Sequence, residues 1–499
     1  MSLRALWLFL AVALPVLASL IAGLSSVDLA YHLRAGAEML AAGALPSVDT
    51  WTFTAAGLPW VDQQWGAQLI LELTYRFGGW TGLALLRAAL IAWIFGAVLV
   101  ICRRRGLDER TSALLTLAAF FVASVALTLR PQLLGMACFA LVLLIVTDRR
   151  RHPGRLWLIP LVVLVWANLH GSFFLAPLVL GLAWLEDLHD RVASPHRTLV
   201  VALACVLTAC VTPFGPAVWV YAVGLSVNPL VTSRISEWQP TSLRDGSGIM
   251  FYASALAVAA LLARRDRPTA GPTLAWFGTF FLIGAYAVRG MAWWPVAAAT
   301  AVAGILAQTA AGAPARVDPP LIRRLNVVVA GLIVVACVAL LPLWRPLDPG
   351  LGTPVGVVGN APPGITAAVR DLAAPGDRLF QPQPWGSWFE WTLPDLPVAL
   401  DSRIELFPPE VWEQVERVEA GVDGWQEQLD AWDVTMVVAA GDGADAFTGR
   451  LAAAGWRVVH EDEDGRVLVR SDRARTEVAP LVGTIGGVTR SVALLESRS

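Results

Sequence analysis

About eleven long apolar runs dominate this chain, and they constrain its fold before any motif is considered. They fall near 5–25, 80–101, 111–128, 131–147, 156–168, 171–186, 198–212, 248–263, 272–288, 291–309 and 324–344. Crossing the hydrocarbon core of a bilayer takes about 20 apolar residues. In lipid each backbone polar group must be satisfied within its own segment, so such runs become helices. Composition agrees: 56% of the 499 residues are hydrophobic and 15% are charged. The net charge of −2 excludes a strongly basic nucleic-acid binder. The five cysteines lie inside apolar stretches without metal-ligand spacing and read as small core residues. The expected class is an α-helical polytopic membrane protein with about eleven transmembrane helices. The first run reads as an uncleaved span, with a signal peptide as the alternative. The stretch 214–227 is too short to span and reads as re-entrant or interfacial.

Every basic residue is arginine, and the arginines alternate between loops. One set of loops carries Arg103, Arg104, Arg105 and Arg110, then Arg149, Arg150, Arg151 and Arg155, then Arg191 and Arg197. The same set continues with Arg264, Arg265 and Arg267, then Arg316, Arg323 and Arg324. The positive-inside rule puts these in the cytoplasm. The N-terminus is then inside, and everything after about residue 345 is external, on the periplasmic side of a bacterial inner membrane. Residues 1–345 form the membrane domain, with a long first external loop at 26–79. Beyond it the composition turns Pro/Gly-rich and then acidic. Strand-like stretches (RLFQP, VTMVVAA, WRVVHED) alternate with helix-like ones (PPEVWEQVERVEAG, DAFTGRLAAAGW), which predicts a small C-terminal external α/β domain at 346–475. The tail at 476–499 has weak periodicity and reads as disordered.

Polar residues that could do chemistry gather on the external side. Asp28 follows the first span, with His32 one helical turn on. Asp49 and Asp62 come later in the same loop, among Trp51, Trp60 and Trp65. Asp28 has two open readings, a catalytic carboxylate or an N-cap of the helix expected at 34–42. Other external loops bring Arg130, His170, Glu237, Trp238 and Arg289 to the membrane edge. Singly these read as a snorkelling arginine, a satisfied loop histidine and belt aromatics. Together, ionisable groups at membrane depth are expensive and point to function. Two arginines facing carboxylates and histidines suit an anion site with an acid/base group beside it. No P-loop, GxSxG, HExxH or paired CxxC occurs, and no metal-ligand set is read.

The motif D-x-x-[WY]-H-x-x-x-G, here Asp28, Tyr31, His32 and Gly36, resembles a bacterial branch of the GT-C glycosyltransferases. So do PWVDQQW (59–65), LRPQ (129–132), WANLHGSF (166–173), SEWQP (236–240) and LDSR (400–403). That superfamily includes protein O-mannosyltransferases, lipid A aminoarabinose transferases and oligosaccharyltransferase catalytic subunits. The resemblance implies a lipid-linked donor, a polyprenyl-phosphate sugar, and transfer to the hydroxyl of a glycan, lipid or protein acceptor on the external face. It implies Asp28 as general base, with Arg130 and then Arg289 on the phosphate. Asp28 lacks the adjacent acidic partner of many members, so the second carboxylate would be Asp49 or Asp62, and metal dependence stays open. The competing readings are a transporter or flippase for a lipid-linked substrate and a non-catalytic envelope assembly protein. Membrane lipids are expected partners and nucleic acid is not.

Overall fold

Each apolar run folds as a helix. The computed structural model describes residues 1–24, 28–265, 268–308, 318–359, 361–441 and 443–471. Arg267, Arg316 and the tail at 476–499 lie outside the described residues. The chain begins with α1 (Leu3–Ile21), α2 (Leu29–Ala42), α3 (Trp65–Arg104), α4 (Glu109–Ala123) and α5 (Pro131–Thr147). Next come α6 (Ile159–Trp166), α7 (Leu175–His189), α8 (His196–Thr208), α9 (Ala217–Val227) and α10 (Pro229–Arg234). The bundle closes with α11 (Gly246–Ala263), α12 (Gly271–Tyr286), α13 (Trp293–Ala307) and α14 (Pro320–Ala339). Among the described residues, seven helical segments are long and apolar enough to cross a membrane; Pro131–Thr147, Pro153–Trp166 and His196–Thr208 are apolar but shorter. The chain is a polytopic helical membrane protein.

Two glycines set the geometry between the first spans. Gly79, at φ 55° and ψ −151°, breaks α3 into a juxtamembrane half and a spanning half, a conformation open mainly to glycine. The juxtamembrane half packs against α2 at Gly36, where a β-carbon would stand 2.5 Å from the Gln68 carbonyl oxygen and 2.6 Å from the Glu72 β-carbon. Within the spanning half, Arg87 is buried. Its guanidinium donates to the carbonyls of Gly23, at 2.7 Å, and of Ser19 and Ala22. Those are orphan acceptors at the end of α1. Arg87 therefore fixes where the first span stops, and with it the start of the segment that carries Asp28.

The C-terminal region folds as the sequence pattern predicts and adds elements that pattern missed. It contains α15 (Pro363–Leu372), β1 (Leu379–Phe380), α16 (Gln383–Thr392), α17 (Pro409–Ala420) and α18 (Trp425–Ala431). It ends with β2 (Met436–Ala439), α19 (Ala444–Ala453), β3 (Trp456–Glu461) and β4 (Arg466–Arg470). The sheet order is β1-β2-β4-β3, with β1 parallel to β2 and the other pairs antiparallel. The first loop extends this sheet, since Thr52 bridges Val398 and Val398 bridges Leu379. Trp391 of α16 meets Tyr75 and Trp80 of α3 with ring centroids 5.5 and 5.7 Å apart. The tryptophans of PWGSWFEW thus bind this region to the helix bundle.

One buried cation anchors the junction. The Arg403 guanidinium lies 4.2 Å from the Trp51 ring centroid and 4.4 Å from that of Trp60. It donates to Asp49 at 2.6 Å and to Asp401, and Glu390 stands 3.8 Å away. All four side chains are essentially without water contact, and burial together with the neighbouring Asp401 raises the Glu390 carboxyl well above its ordinary value. Asp49, a candidate second carboxylate in the sequence, is thus buried and paired with Arg403, as is Asp401 of LDSR. Removing a buried cation leaves its carboxylates uncompensated, at about 3–5 kcal/mol. We expect Arg403→Met to lower the thermal midpoint of the detergent-solubilised protein steeply. Arg466→Gln, which breaks a surface pair with the exposed Asp445, should leave the midpoint unchanged. Equal midpoints for the two variants would refute the anchoring role.

Candidate functional site

Asp28 occupies the N-cap position of α2 but makes no capping hydrogen bond to the helix, so the capping reading gives way. Its Oδ2 lies 3.6 Å from Nη1 of Arg130, whose Nη2 donates to Glu237 at 2.7 Å. Proline at the first position of α5 pins the chain just after Arg130. The short turn Ser236–Trp238 presents Glu237 from the opposite wall. Burial raises the Asp28 pKa above its ordinary 3.8, and Arg130 and Arg289 only partly oppose this. Burial also raises Glu237, but there the two arginines outweigh it and hold the carboxyl below the usual range. The carboxylates flanking Arg130 thus differ: Glu237 is held ionised, while Asp28 is poised to take a proton.

Beside this pair lies a cavity of about 720 Å³. Gln63, Gln64, Gln132, His170, Tyr221, Trp238 and Arg289 are its polar lining, and Leu282, Ile283 and Trp293 are among its apolar walls. Asp28, His32 and Arg130 are not among the lining residues. Arg289 lies over the Trp238 ring, 5.4 Å from its centroid. Among the described residues Arg289 makes no ion pair, whereas Arg130 is held between two carboxylates. Arg289, ranked second in the sequence, is thus the guanidinium that a ligand in the cavity meets. Trp238 supports it instead of serving only as a belt aromatic.

Two histidines contribute polarity without charge. His170 Nδ1 accepts from the Ser172 backbone N–H at 3.2 Å and contacts Ser172 Oγ at 2.7 Å. Ser172 Oγ in turn accepts from Trp166 Nε1 at 3.1 Å. This network assigns the His170 proton to Nε2, making the ring a neutral donor at the cavity wall. Burial and the positive potential of Arg289 and Arg130 hold its pKa well below 6.5. His32 is buried against Tyr31, with ring centroids 4.0 Å apart, and its Nδ1 has no hydrogen-bond partner among the described residues. Burial, then Arg130 and Arg289, lowers its pKa to about 3, so at neutral pH it carries no charge.

Three participants escaped sequence reasoning. Tyr221 of α9 lines the cavity and donates to Glu405, from the loop after LDSR, at 3.1 Å. Gln132 lines it and donates to the Arg289 carbonyl at 3.1 Å. Glu405 stands only two residues beyond LDSR, and Gln132 closes LRPQ, so both motifs pointed nearby. Tyr221 sat in an apolar stretch with no polar neighbour to mark it. Asp62 accepts from Gln68 at 2.8 Å, buried beneath the cavity floor formed by Gln63 and Gln64.

No family model matches the chain, and no curated protein matches it. Solved structures do. The archaeal oligosaccharyltransferase AglB from Archaeoglobus fulgidus, in complex with an inhibitory peptide and a dolichol-phosphate, superposes with a TM-score of 0.54 at 12% identity, over 88% of this chain and 70% of that one. ArnT from Cupriavidus metallidurans, bound to undecaprenyl phosphate, gives 0.51 at 18% identity, over 92% of this chain and 97% of that one. The chain has a GT-C fold.

Among the described residues no three histidine, cysteine or carboxylate side chains group as metal ligands. The two carboxylates nearest the site hold a guanidinium between them, with Arg289 close by. That donor set suits an anion better than a divalent cation.

Burial raises the Asp62 carboxyl to about 7 from an ordinary 3.8. The folded state therefore holds this proton more tightly than the unfolded state does, and stability falls as pH rises between those values. Asp62→Asn keeps the acceptor for Gln68 and removes the titration. The variant should gain thermal midpoint over the parent at about pH 8 and gain little at about pH 5. A difference that does not change with pH would place the Asp62 pKa in the ordinary range.

Proposed function

We propose that this GT-C protein is a membrane glycosyltransferase that moves a sugar from a polyprenyl-phosphate donor to an acceptor hydroxyl. We place the reaction on the periplasmic face of a bacterial inner membrane, with the N-terminus inside and the C-terminal region external. The carrying observation is the cavity beside the Asp28–Arg130–Glu237 array, with Arg289, which makes no ion pair among the described residues, on its wall. The solved structures of like fold hold dolichol-phosphate and undecaprenyl phosphate. In this reading Asp28 takes the proton from the acceptor hydroxyl as its oxygen attacks the anomeric carbon. The carbon–oxygen bond to phosphate breaks on the opposite side, and the phosphate leaves with the electron pair. Arg289 meets the growing negative charge, with Arg130 behind it. The neutral His170 donates through Nε2–H, and the apolar walls take the start of the prenyl chain.

A passage for substrate across the bilayer would want ionisable groups exposed along the bundle. The buried Arg87 is instead committed to the α1 carbonyls, which supports chemistry at one face. The direct test is to incubate purified protein with a panel of polyprenyl-phosphate sugars and acceptors. Release of polyprenyl phosphate coupled to sugar transfer is expected, and no transfer with any pair would overturn the reading.

Asp28→Asn keeps the shape and should lower turnover roughly 10²- to 10⁴-fold, the scale of general-base catalysis, while sparing donor binding. Because burial raises Asp28, the acid limb of kcat/KM should lie above pH 3.8. Glu237 contributes to that rise. Glu237→Gln should therefore move the limb to lower pH, and a limb that moves up or stays fixed would remove Asp28 from the role.

A charge-assisted hydrogen bond contributes about 1.5–3 kcal/mol. Arg289→Gln should accordingly weaken donor binding roughly 10- to 150-fold, measured by titrating the polyprenyl-phosphate sugar. Donor affinity unchanged in Arg289→Gln but lost in Arg130→Lys would return the phosphate to Arg130.

A further inference from the structure

At the opposite end of α5 and α13 from the Asp28 site lies a second, polar cavity of about 170 Å³. Gln132 and Trp293 mark the first cavity on these helices, and Val146 and Gly304 mark the second. The separation is about 17–21 Å of helix at 1.5 Å per residue, so the two open toward opposite faces of the membrane.

Three arginines converge there from different segments: Arg105 after α3, Arg149 after α5 and Arg265 after α11. Arg149 is neutralised, donating to Asp187 at 2.7 Å and to Glu186 at 2.9 Å. Glu186 also lines the cavity but is shared with Arg150, 3.6 Å away. Arg265 donates to Gln308 at 2.7 Å and makes no ion pair among the described residues. Arg105 makes neither an ion pair nor a side-chain hydrogen bond among them. Its guanidinium lies over Gly304, with Nη1 3.8 Å from where a β-carbon would stand. The absent side chain at Gly304 keeps the cavity open beneath two cations that make no ion pair within contact distance among the described residues, with Glu186 the carboxylate that Arg105 feels at longer range. Deeper along the same helices the walls turn apolar, at Leu143, Leu182 and Ala301.

Two fork-shaped cations at the rim above an apolar cleft suit a phosphate that carries a hydrocarbon chain. We propose that this cavity binds the phosphate of an anionic glycerophospholipid in the leaflet opposite the Asp28 site. Arg105 and Arg265 hold the phosphate oxygens, and an acyl chain follows the cleft between α5, α7 and α13. The site is independent of the sugar-transfer reading.

The test uses the full chain, stripped of lipid in detergent and titrated with phosphatidylglycerol or phosphatidylethanolamine, with bound lipid counted by native mass spectrometry. The parent should favour phosphatidylglycerol. The double variant Arg105→Gln/Arg265→Gln should lose roughly 30-fold in that affinity, the factor for two arginines near a lipid phosphate. Its phosphatidylethanolamine binding, already weaker in the parent because the headgroup ammonium offsets the phosphate charge, should fall by a smaller factor. Arg105→Lys/Arg265→Lys keeps both charges and should recover part of the loss, which separates a missing cation from a damaged fold. Arg151→Gln, on the exposed surface outside the cavity, should bind as the parent does. The proposal fails if the glutamine pair retains the parent's preference, or if Arg151→Gln loses as much. It also fails if millimolar inorganic phosphate displaces the lipid completely, because the site would then be one for a free anion.

Discussion

The Arg403 guanidinium packs against two tryptophan rings that meet edge to face, and it faces Asp49, Asp401 and Glu390; much of the molecule's arrangement depends on it. The Asp49 contact joins residues 354 apart in sequence. Neither half of the contact could be buried alone, because an unpaired charge away from water is far more costly than the pair. The first loop and the C-terminal region must therefore form together. Arg34 reinforces the junction from α2, donating to the Glu390 carbonyl at 2.8 Å and to the Pro394 carbonyl at 3.2 Å. Once α2 is fixed to this unit on one side and to α3 through Gly36 on the other, Asp28 at its start has little freedom left. The site is positioned from both sides of its own helix.

The site uses the same electrostatics for a different end. Arg130 stands between Asp28 and Glu237, and Arg289 raises the positive potential for all of them. Asp28 feels desolvation more than it feels the arginines, and Glu237 the reverse. An anion placed near Arg289 would add negative charge beside Asp28 and raise its proton affinity further, so in the proposed reaction donor occupancy and the readiness of the base would be coupled. The two histidines cannot replace the arginines here, because burial in a positive field keeps both neutral.

The spans were legible because lipid imposes a one-dimensional rule: apolar length makes a helix. The loop motifs were legible as a set, since Asp28, Arg130, His170, Glu237, Trp238 and Arg289 do gather at one end of the bundle. Their ranking was not. Periodicity places Asp28 at a helix start, where capping is the ordinary reading, and only the fold turns its carboxylate toward Arg130. Asp49 and Asp62 lie in the same tryptophan-rich loop, and nothing local separates a carboxylate paired with Arg403 from one raised by burial. That separation comes from partners far away in sequence. Strands β1, β2 and β3 showed in the alternating pattern, whereas the bridge from Thr52 to Val398 depends on two distant segments and left no local signal.

The absence of lysine acquires a physical reason at the buried positions. Arg87 donates to three carbonyls, Arg403 donates to the carboxylates of Asp49 and Asp401, and Arg149 binds Glu186 and Asp187 while donating to the carbonyls of Val146 and Ala183. Each task uses several donors spread in one plane, and each occurs where water cannot supply the missing partners. A lysine ammonium is a compact, strongly hydrated charge with three donors on a flexible stem. At Arg403 it would also lose the flat guanidinium that packs against Trp51 and Trp60. Lysine at any of these three positions would leave acceptors unpaired in a dry environment, so there arginine is the only cation that closes the network.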